Sequence, residues 1–438
     1  MTRSMLSRAT LSAVLLAICL PLSATAVDEV LYYEDRADIP VQFTWDLGLY
    51  FADEKAWDKA FAELEAALPE MAQFKGRVGE SPETMAAALE TMFSLDRRAG
   101  PLYLNAFQKV HLVRSDAQGS DQSGRISSLL SRMQEAYSFV HPEIALLRDE
   151  QIARFRDAPA LAPYQQYLDN IWRLRKHSRS AEVEQVLAGS SLSGAGHANA
   201  YEELNHADIS WPTVVDESGE EAVVSPGQFG RFRASTDREL RQRAWEAHLQ
   251  TIADYKNTYA ATLGAKIQRD VWLAQVYRYP SSVDAALSAA NVPMEVLETL
   301  ISTVHDNTDK IQAYNELRRE ILGLETLQQW DSMVSLLPDG GRKYTFTEAC
   351  DLAMQFWRET FGDEFADIAQ QALDERWVDV YSNEGKRGGA YSWGSYRKPY
   401  YLFLNWGGEF EDVSTLVHEM GHSVHGVLAS NNQSYHDA

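Results

Sequence analysis

Apolar residues recur at helical spacing through most of this chain of 438 residues. In "ADEKAWDKAFAELEAALPEMAQFKGRV" (52–78), Trp57, Phe61, Leu64, Leu68 and Met71 fall three or four positions apart with charges between them, which marks an amphipathic helix. The same period runs through 81–113, 120–140, 161–178, 235–275 and 291–324. Thr236 followed by Glu239 gives a capping-box signal for the start of the 235–275 stretch. A mainly α fold follows. Two stretches break the pattern. "ISWPTVVDESGEEAVVS" (209–225) has β-rich flanks around an acidic Ser-Gly turn and predicts a hairpin. "WVDVYS", "GGAYSWGSY" and "YYLFLNW", between 377 and 406, are aromatic and β-branched with glycines between them, and predict a small β-patch.

A chain this long can build a large core and more than one domain, and the change of pattern places a boundary near residue 208. "AGSSLSGAGHANA" (188–200) reads as a linker or loop just before it. It lacks the Gly-Lys-Ser/Thr ending of a phosphate loop, which argues against nucleotide binding there. The formal net charge of -23 sets the molecule against phosphate backbones, so nucleic acid is not an expected partner.

The N-terminus reads as a targeting segment. "MTRSMLSR" is basic, "LSAVLLAICLPL" (11–22) is apolar but short for a membrane span, and "ATA" (24–26) is a small-x-small cleavage signal. Together they predict a secretory signal peptide cut after Ala26 and an exported product, periplasmic or secreted, with no stable membrane insertion after cleavage. An uncleaved anchor and a lipid anchor on Cys19 are the alternatives, the second disfavoured by the bulky Ile18. With Cys19 in that segment, Cys350 is left alone and no intramolecular disulfide is possible. Cys350 lies in the helical pattern "TFTEACDLAMQFW" and is expected to act as a small buried hydrophobe.

The chemistry is concentrated in "DVSTLVHEMGHSVHGVLASNNQSYHDA" (412–438). His418, Glu419 and His422 form H-E-x-x-H. On a helix, positions i and i+4 lie about 40° apart, so the two imidazoles point the same way and can grip one zinc ion. Glu419 is then placed to reach a zinc-bound water and serve as general base. Val413, Leu416, Val417, Met420, Val424 and Val427 supply an apolar side for that helix, and Asp412 is expected to cap its start. His425 shares the helix side but is sterically poor as a third ligand, and a supporting role behind the ligands suits it better. Glycine at 425 and histidine at 428 would mark a metzincin; His425 and Leu428 exclude that class.

These residues carry a resemblance. "GKRGGAYSWGSYRKPYYLFLNWGGEFEDVSTLVHEMGHSVH" (385–425) resembles the active-site region of the oligoendopeptidase F family, zinc metallopeptidases related to thimet oligopeptidase. The stretches at 45–78, 147–180 and 281–307 resemble the family in the same order, so the likeness covers nearly all of 40–435. It implies a mainly α, zincin-type helical oligopeptidase with a deep channel that admits short unstructured peptides. Residues 27–208 would form the helical N-terminal domain and 209–438 the catalytic domain. His418 and His422 would be zinc ligands, with one Zn2+ per full-length chain, and Glu419 the general base. Gly388, Gly389, Ala390 and Tyr391 match the glycine-rich segment beside the cleft, where backbone groups can hold substrate; a tight turn needing small residues is the other reading.

The family's third ligand is a glutamate on a following helix, and only 16 residues follow His422 here. The resemblance therefore implies a fragment that binds zinc weakly, has little activity and leaves apolar surface exposed. His436 or Asp437 would be the substitute ligands. Two rivals remain. "AYSWG" (390–394) approaches a serine nucleophile elbow centred on Ser392, on a chain too helical for that fold. The other is a non-catalytic peptide-binding protein with a degenerate metal site.

Overall fold

The computed structural model describes residues 32–179, 183, 186–187, 196–337 and 342–436. The segment read as a signal peptide and most of the Gly/Ser-rich stretch lie outside them. Among the described residues the helices of ten residues or more are α1 (Glu54–Ala67), α2 (Pro82–Leu112), α3 (Ala117–Tyr137), α4 (Gln165–Leu174), α5 (Arg238–Asp254), α6 (Lys256–Val276), α7 (Met294–Asp306), α8 (Thr308–Ile321), α9 (Phe346–Phe361), α10 (Asp363–Asp374) and α11 (Phe410–Asn432). Seven short strands accompany them: β1 (Tyr32–Tyr33), β2 (Thr213–Val215), β3 (Glu221–Val223), β4 (Val378–Asp379), β5 (Ser382–Asn383), β6 (Tyr391–Gly394) and β7 (Tyr400–Phe403).

The helices begin where side chains can satisfy their free N–H groups. Asp53 accepts from Ala56 N at 2.8 Å, and Ser81 accepts from Thr84 N at 3.1 Å with Pro82 at the first helical position. At α5 the cap is Asp237, which accepts from Glu239 N at 2.9 Å; the Thr236 expectation is off by one residue. The α-helix expected over 52–78 ends at Ala67, where Pro69 helps turn the chain into a 3-10 segment, Leu68–Phe74, that carries Met71. Trp57 and Leu64 of α1, Met71, and Met85, Leu89 and Leu102 of α2 are buried in one helical core with α3 and α4. The hairpin at 209–225 forms as β2 and β3, antiparallel, with Val214 opposite Ala222.

The β-patch is a three-stranded sheet in the order β4-β7-β6, parallel between β4 and β7 and antiparallel between β7 and β6. Its two faces follow the period of two in the sequence. Leu402 and Leu404 point into a core with Leu416, Met420 and Val424 of α11 and with Ala349, Ala353 and Ala369 of α9 and α10. Tyr401 and Phe403 point the other way, against Trp45, Tyr50, Leu104 and Leu112. The sheet therefore has α11 on one face and α2 on the other.

Residues 32–51 belong spatially to this sheet. β1 pairs in parallel with β5, Trp45 Nε1 donates to Leu402 O at 2.7 Å, and Arg36 pairs with the fully buried Asp379. Lys386 Nζ meets the same carboxylate at 2.7 Å. At the other side of the chain, α6, α7 and α8 leave Leu263, Ile267, Val296, Leu300, Ile311 and Leu317 exposed.

Candidate active site

α11 carries the H-E-x-x-H residues across its exposed side, while Val413, Leu416, Met420 and Val424 are buried beneath it. The helix starts one turn earlier than expected. Glu409 occupies the cap position, and Asp412 sits in the first turn with its carboxylate accepting from Glu409 N at 2.8 Å and Gly407 N at 3.2 Å. Asp412 thus supports the helix start from inside, as the third helical residue of a capping box does.

His418 and His422 are exposed, and their Nε2 atoms lie 3.2 Å apart with the rings at 79°. Two nitrogens bound to one tetrahedral zinc at about 2.05 Å stand roughly 3.3 Å apart, so this pair has the bite the ion needs. Glu419 is half-buried between the exposed histidine pair and the core. His425 is exposed two turns along from His418. Among the described residues no group of three or more His, Cys, Asp or Glu is arranged to hold a metal. His436 is engaged elsewhere: its ring stacks on Phe93 and Tyr164, with centroids 4.9 Å and 5.1 Å away, and Nε2 faces Pro163 O. Asp437 lies outside the described residues.

Among the described residues β6, beside the helix, is an edge strand. Leu402 N donates to Trp377 O and Leu404 N to Asp379 O, so the even positions of β7 bond β4 and the odd positions bond β6. Tyr391 and Trp393, paired with Phe403 and Tyr401, therefore turn their backbone groups inward. The N–H and C=O groups of Ala390 and Ser392 point away from the sheet, where an extended chain can pair with them. Gly388, Gly389 and Ala390 are exposed. Gly389 has φ +89°, a conformation that favours glycine, and Asn405 Nδ2 holds its carbonyl at 2.8 Å and that of Arg387 at 3.0 Å. Tyr391 is half-buried, with its ring stacked on Phe403 at 4.8 Å and its hydroxyl 2.7 Å from His111 Nδ1.

Several residues that shape the site escaped the sequence reading. Ser423, directly after His422, is buried and bonds Ser392 Oγ at 2.8 Å and Tyr400 O at 3.0 Å. A polar residue on the otherwise apolar face formed by Leu416, Met420 and Val424 was the available signal. Gly394 and Gly426 flank the Tyr400 ring so closely that a Cβ at either would overlap it. The partner of Ser392 is a serine hydroxyl on the core side of the sheet, and its strand belongs to a β-hairpin, so no nucleophile elbow forms. Cys350 is half-buried rather than buried, packed against the edge of the core; burial first, with Asp351 second, pushes its thiol up to about 12, so it stays neutral.

Residues 231–438 match the family model of peptidase family M3, and residues 143–211 match that of oligopeptidase F. Oligopeptidase PepF of Bacillus subtilis (strain 168) is 32% identical over 402 residues, covering 92% of this chain and 60% of the relative. Group B oligopeptidase PepB of Streptococcus agalactiae (strain NEM316) is 32% identical over 403 residues, covering 92% and 67%. Among solved structures, a Chlamydophila abortus protein superposes with a TM-score of 0.78 at 31% identity, covering 92% of this chain and 68% of that one. Oligoendopeptidase-F of Enterococcus faecium gives 0.58 at 29% identity, covering 73% and 60%. The chain belongs to the oligopeptidase F family within peptidase family M3. It spans 60% of the length of the Bacillus relative.

Proposed function

We propose that the protein is a zinc metalloendopeptidase of the exported compartment, periplasmic or secreted, that hydrolyses internal bonds of short unstructured oligopeptides. The observation that carries this reading is the 3.2 Å Nε2 pair of His418 and His422, exposed on a helix that packs against a free strand edge. When bound, a zinc ion polarises the scissile carbonyl and makes water a better nucleophile near neutral pH. His418 and His422 would hold that ion. The backbone of Ala390 and Ser392, with Gly388 and Gly389 leading into it, aligns an extended peptide beside α11, and Tyr391 keeps the strand in place. Glu419 takes the proton from the attacking water and returns it to the departing amine. His425 supports the ligand face.

A tetrahedral ion needs a further protein donor beyond two imidazoles for tight binding. On the described residues, the chain by itself binds zinc weakly and turns over little. That same feature favours a second reading, a peptide-binding protein without turnover. Zinc stoichiometry by elemental analysis, together with hydrolysis of an internally quenched nonapeptide, separates the two. Zinc-dependent cleavage that is lost with Glu419→Gln supports the peptidase; peptide binding indifferent to zinc and to a chelator supports the binding protein. N-terminal sequencing of the exported product tests cleavage after Ala26.

A further inference from the structure

The outward backbone of β6 is useful to a peptide only if the strand is held still; β7 pairs with its inward groups and α11 packs along it, and the segment that leads into it is tied to the end of α2. The last carbonyls of a helix lack helical partners. Those of α2 are taken up by the segment that leads into β6: His111 O accepts from Arg387 N at 2.9 Å, and Leu112 O accepts from Asn383 Nδ2 at 3.0 Å. Just past the helix, Arg114 N donates to Gly385 O at 2.9 Å.

The His111 side chain completes the grip. A guanidinium can only donate, so Arg387 Nη1, 3.2 Å from Nε2, makes that nitrogen the acceptor. Nδ1 then carries the proton and donates to the Tyr391 hydroxyl at 2.7 Å. The ring lies at 23° to Trp393, with centroids 6.0 Å apart. Burial first, and Arg387 second, lower the imidazole to about 4, which keeps this neutral tautomer in place over the physiological range. One side chain thus touches Arg387, Tyr391 and Trp393, the residues that bracket the outward groups of Ala390 and Ser392.

We infer that His111 is a positioning residue of the peptide-binding edge: from the helical N-terminal part of the chain it locks Arg387, Tyr391 and Trp393 and so fixes the register at which an extended peptide pairs with β6. This rests on the peptidase reading for the role of the edge, but the clamp itself is readable without turnover. His111→Phe keeps a ring against Trp393 and removes both hydrogen bonds; His111→Asn restores a donor towards Tyr391. Should His111→Phe fail to fold, Tyr391→Phe removes the hydroxyl partner while leaving the stack on Phe403.

Hydrogen–deuterium exchange of the full chain is followed at 385–396 and at 410–432. Affinity for a fluorescein-labelled nonapeptide of Gly, Ala, Phe and Arg is read by anisotropy in a Glu419→Gln background, and zinc affinity by chelator competition. The expected result for His111→Phe is faster exchange confined to 385–396 and about tenfold weaker peptide binding, with zinc affinity and exchange of α11 unchanged and with His111→Asn intermediate. Unchanged exchange at 385–396, or unchanged peptide affinity despite faster exchange, overturns the inference. Faster exchange with no peptide bound by the His111 parent overturns the peptidase reading, and with it the role of the clamp in peptide binding.

Discussion

Ser423 and Ser392 meet hydroxyl to hydroxyl at 2.8 Å, and this contact joins the helix that carries the histidine pair to the strand that offers the free edge. Ser423 also reaches Tyr400 O at 3.0 Å, so one buried oxygen sets the spacing between α11 and two strands. Ser423→Ala leaves the Ser392 hydroxyl without its partner and should cost about 1–2 kcal/mol. Urea unfolding measures that cost, and Ser423→Thr, which keeps the hydroxyl, should recover part of it.

Gly426 and Gly394 exist at those positions because the Tyr400 ring fills the space a Cβ would take. Gly426→Ala should therefore destabilise by roughly 1–3 kcal/mol through overpacking, even though alanine favours a helix. Thermal unfolding of Gly426→Ala, alone and combined with Tyr400→Leu, tests this: the double variant should be less damaged than the sum of the singles.

The histidine pair and Glu419 should separate metal from chemistry. His418→Ala and His422→Ala should each lose zinc in a chelator-competition titration. Glu419→Gln should keep the zinc affinity of its parent and lower hydrolysis at least about 100-fold, the usual scale for removing a general base. Loss of zinc from Glu419→Gln would place the carboxylate among the ligands.

Acid should expose a second buried carboxylate. Asp331 is fully buried; burial alone would raise it, but hydrogen bonds from Arg238, Arg241 and Gln328 N outweigh that and hold it down at about 2. Its unfolded value is about 3.9, so the stabilisation is complete above that pH and is lost as pH falls towards 2, on the order of 2 kcal/mol. Asp331→Asn should lose this pH dependence between 4 and 2, and at neutral pH it should be less stable by about 3 kcal/mol because Arg241 stays buried without its charge partner. Chemical unfolding at pH 2, 3, 4 and 7 reads both effects.

Much of the fold was legible because helices and strands write their period into the chain. Trp57, Phe61 and Leu64 announced a helix, although Leu68 and Met71, at the same spacing, lie in the 3-10 segment that follows it, and Leu402 and Phe403 fell on opposite faces of the predicted strand. Helix starts were less legible. Glu409 and Asp412 are both able to cap, and only the extended backbone at Glu409 decides which one does. The histidine pair could be read because its spacing is local. The clamp at His111 could not, since it joins residues 280 positions apart and leaves no pattern in either stretch. Ser423 sits between these cases: its position on an apolar helix face was visible, its partners were not.

The pairing of Arg36 with Asp379 spans 343 positions, and Trp45 reaches Leu402 across 357. The sheet beside α11 is therefore assembled from the first and last parts of the described chain. A polypeptide emerging from a ribosome or an export channel would make the 32–51 segment early and hold it without partners until β4 and β7 arrived. The helices between can condense in the meantime, since their contacts are near in sequence. Closure of the sheet is thus timed as well as shaped: Arg36 and Trp45 wait for partners made 343 and 357 positions later, and α11 is laid over the sheet only after those strands exist.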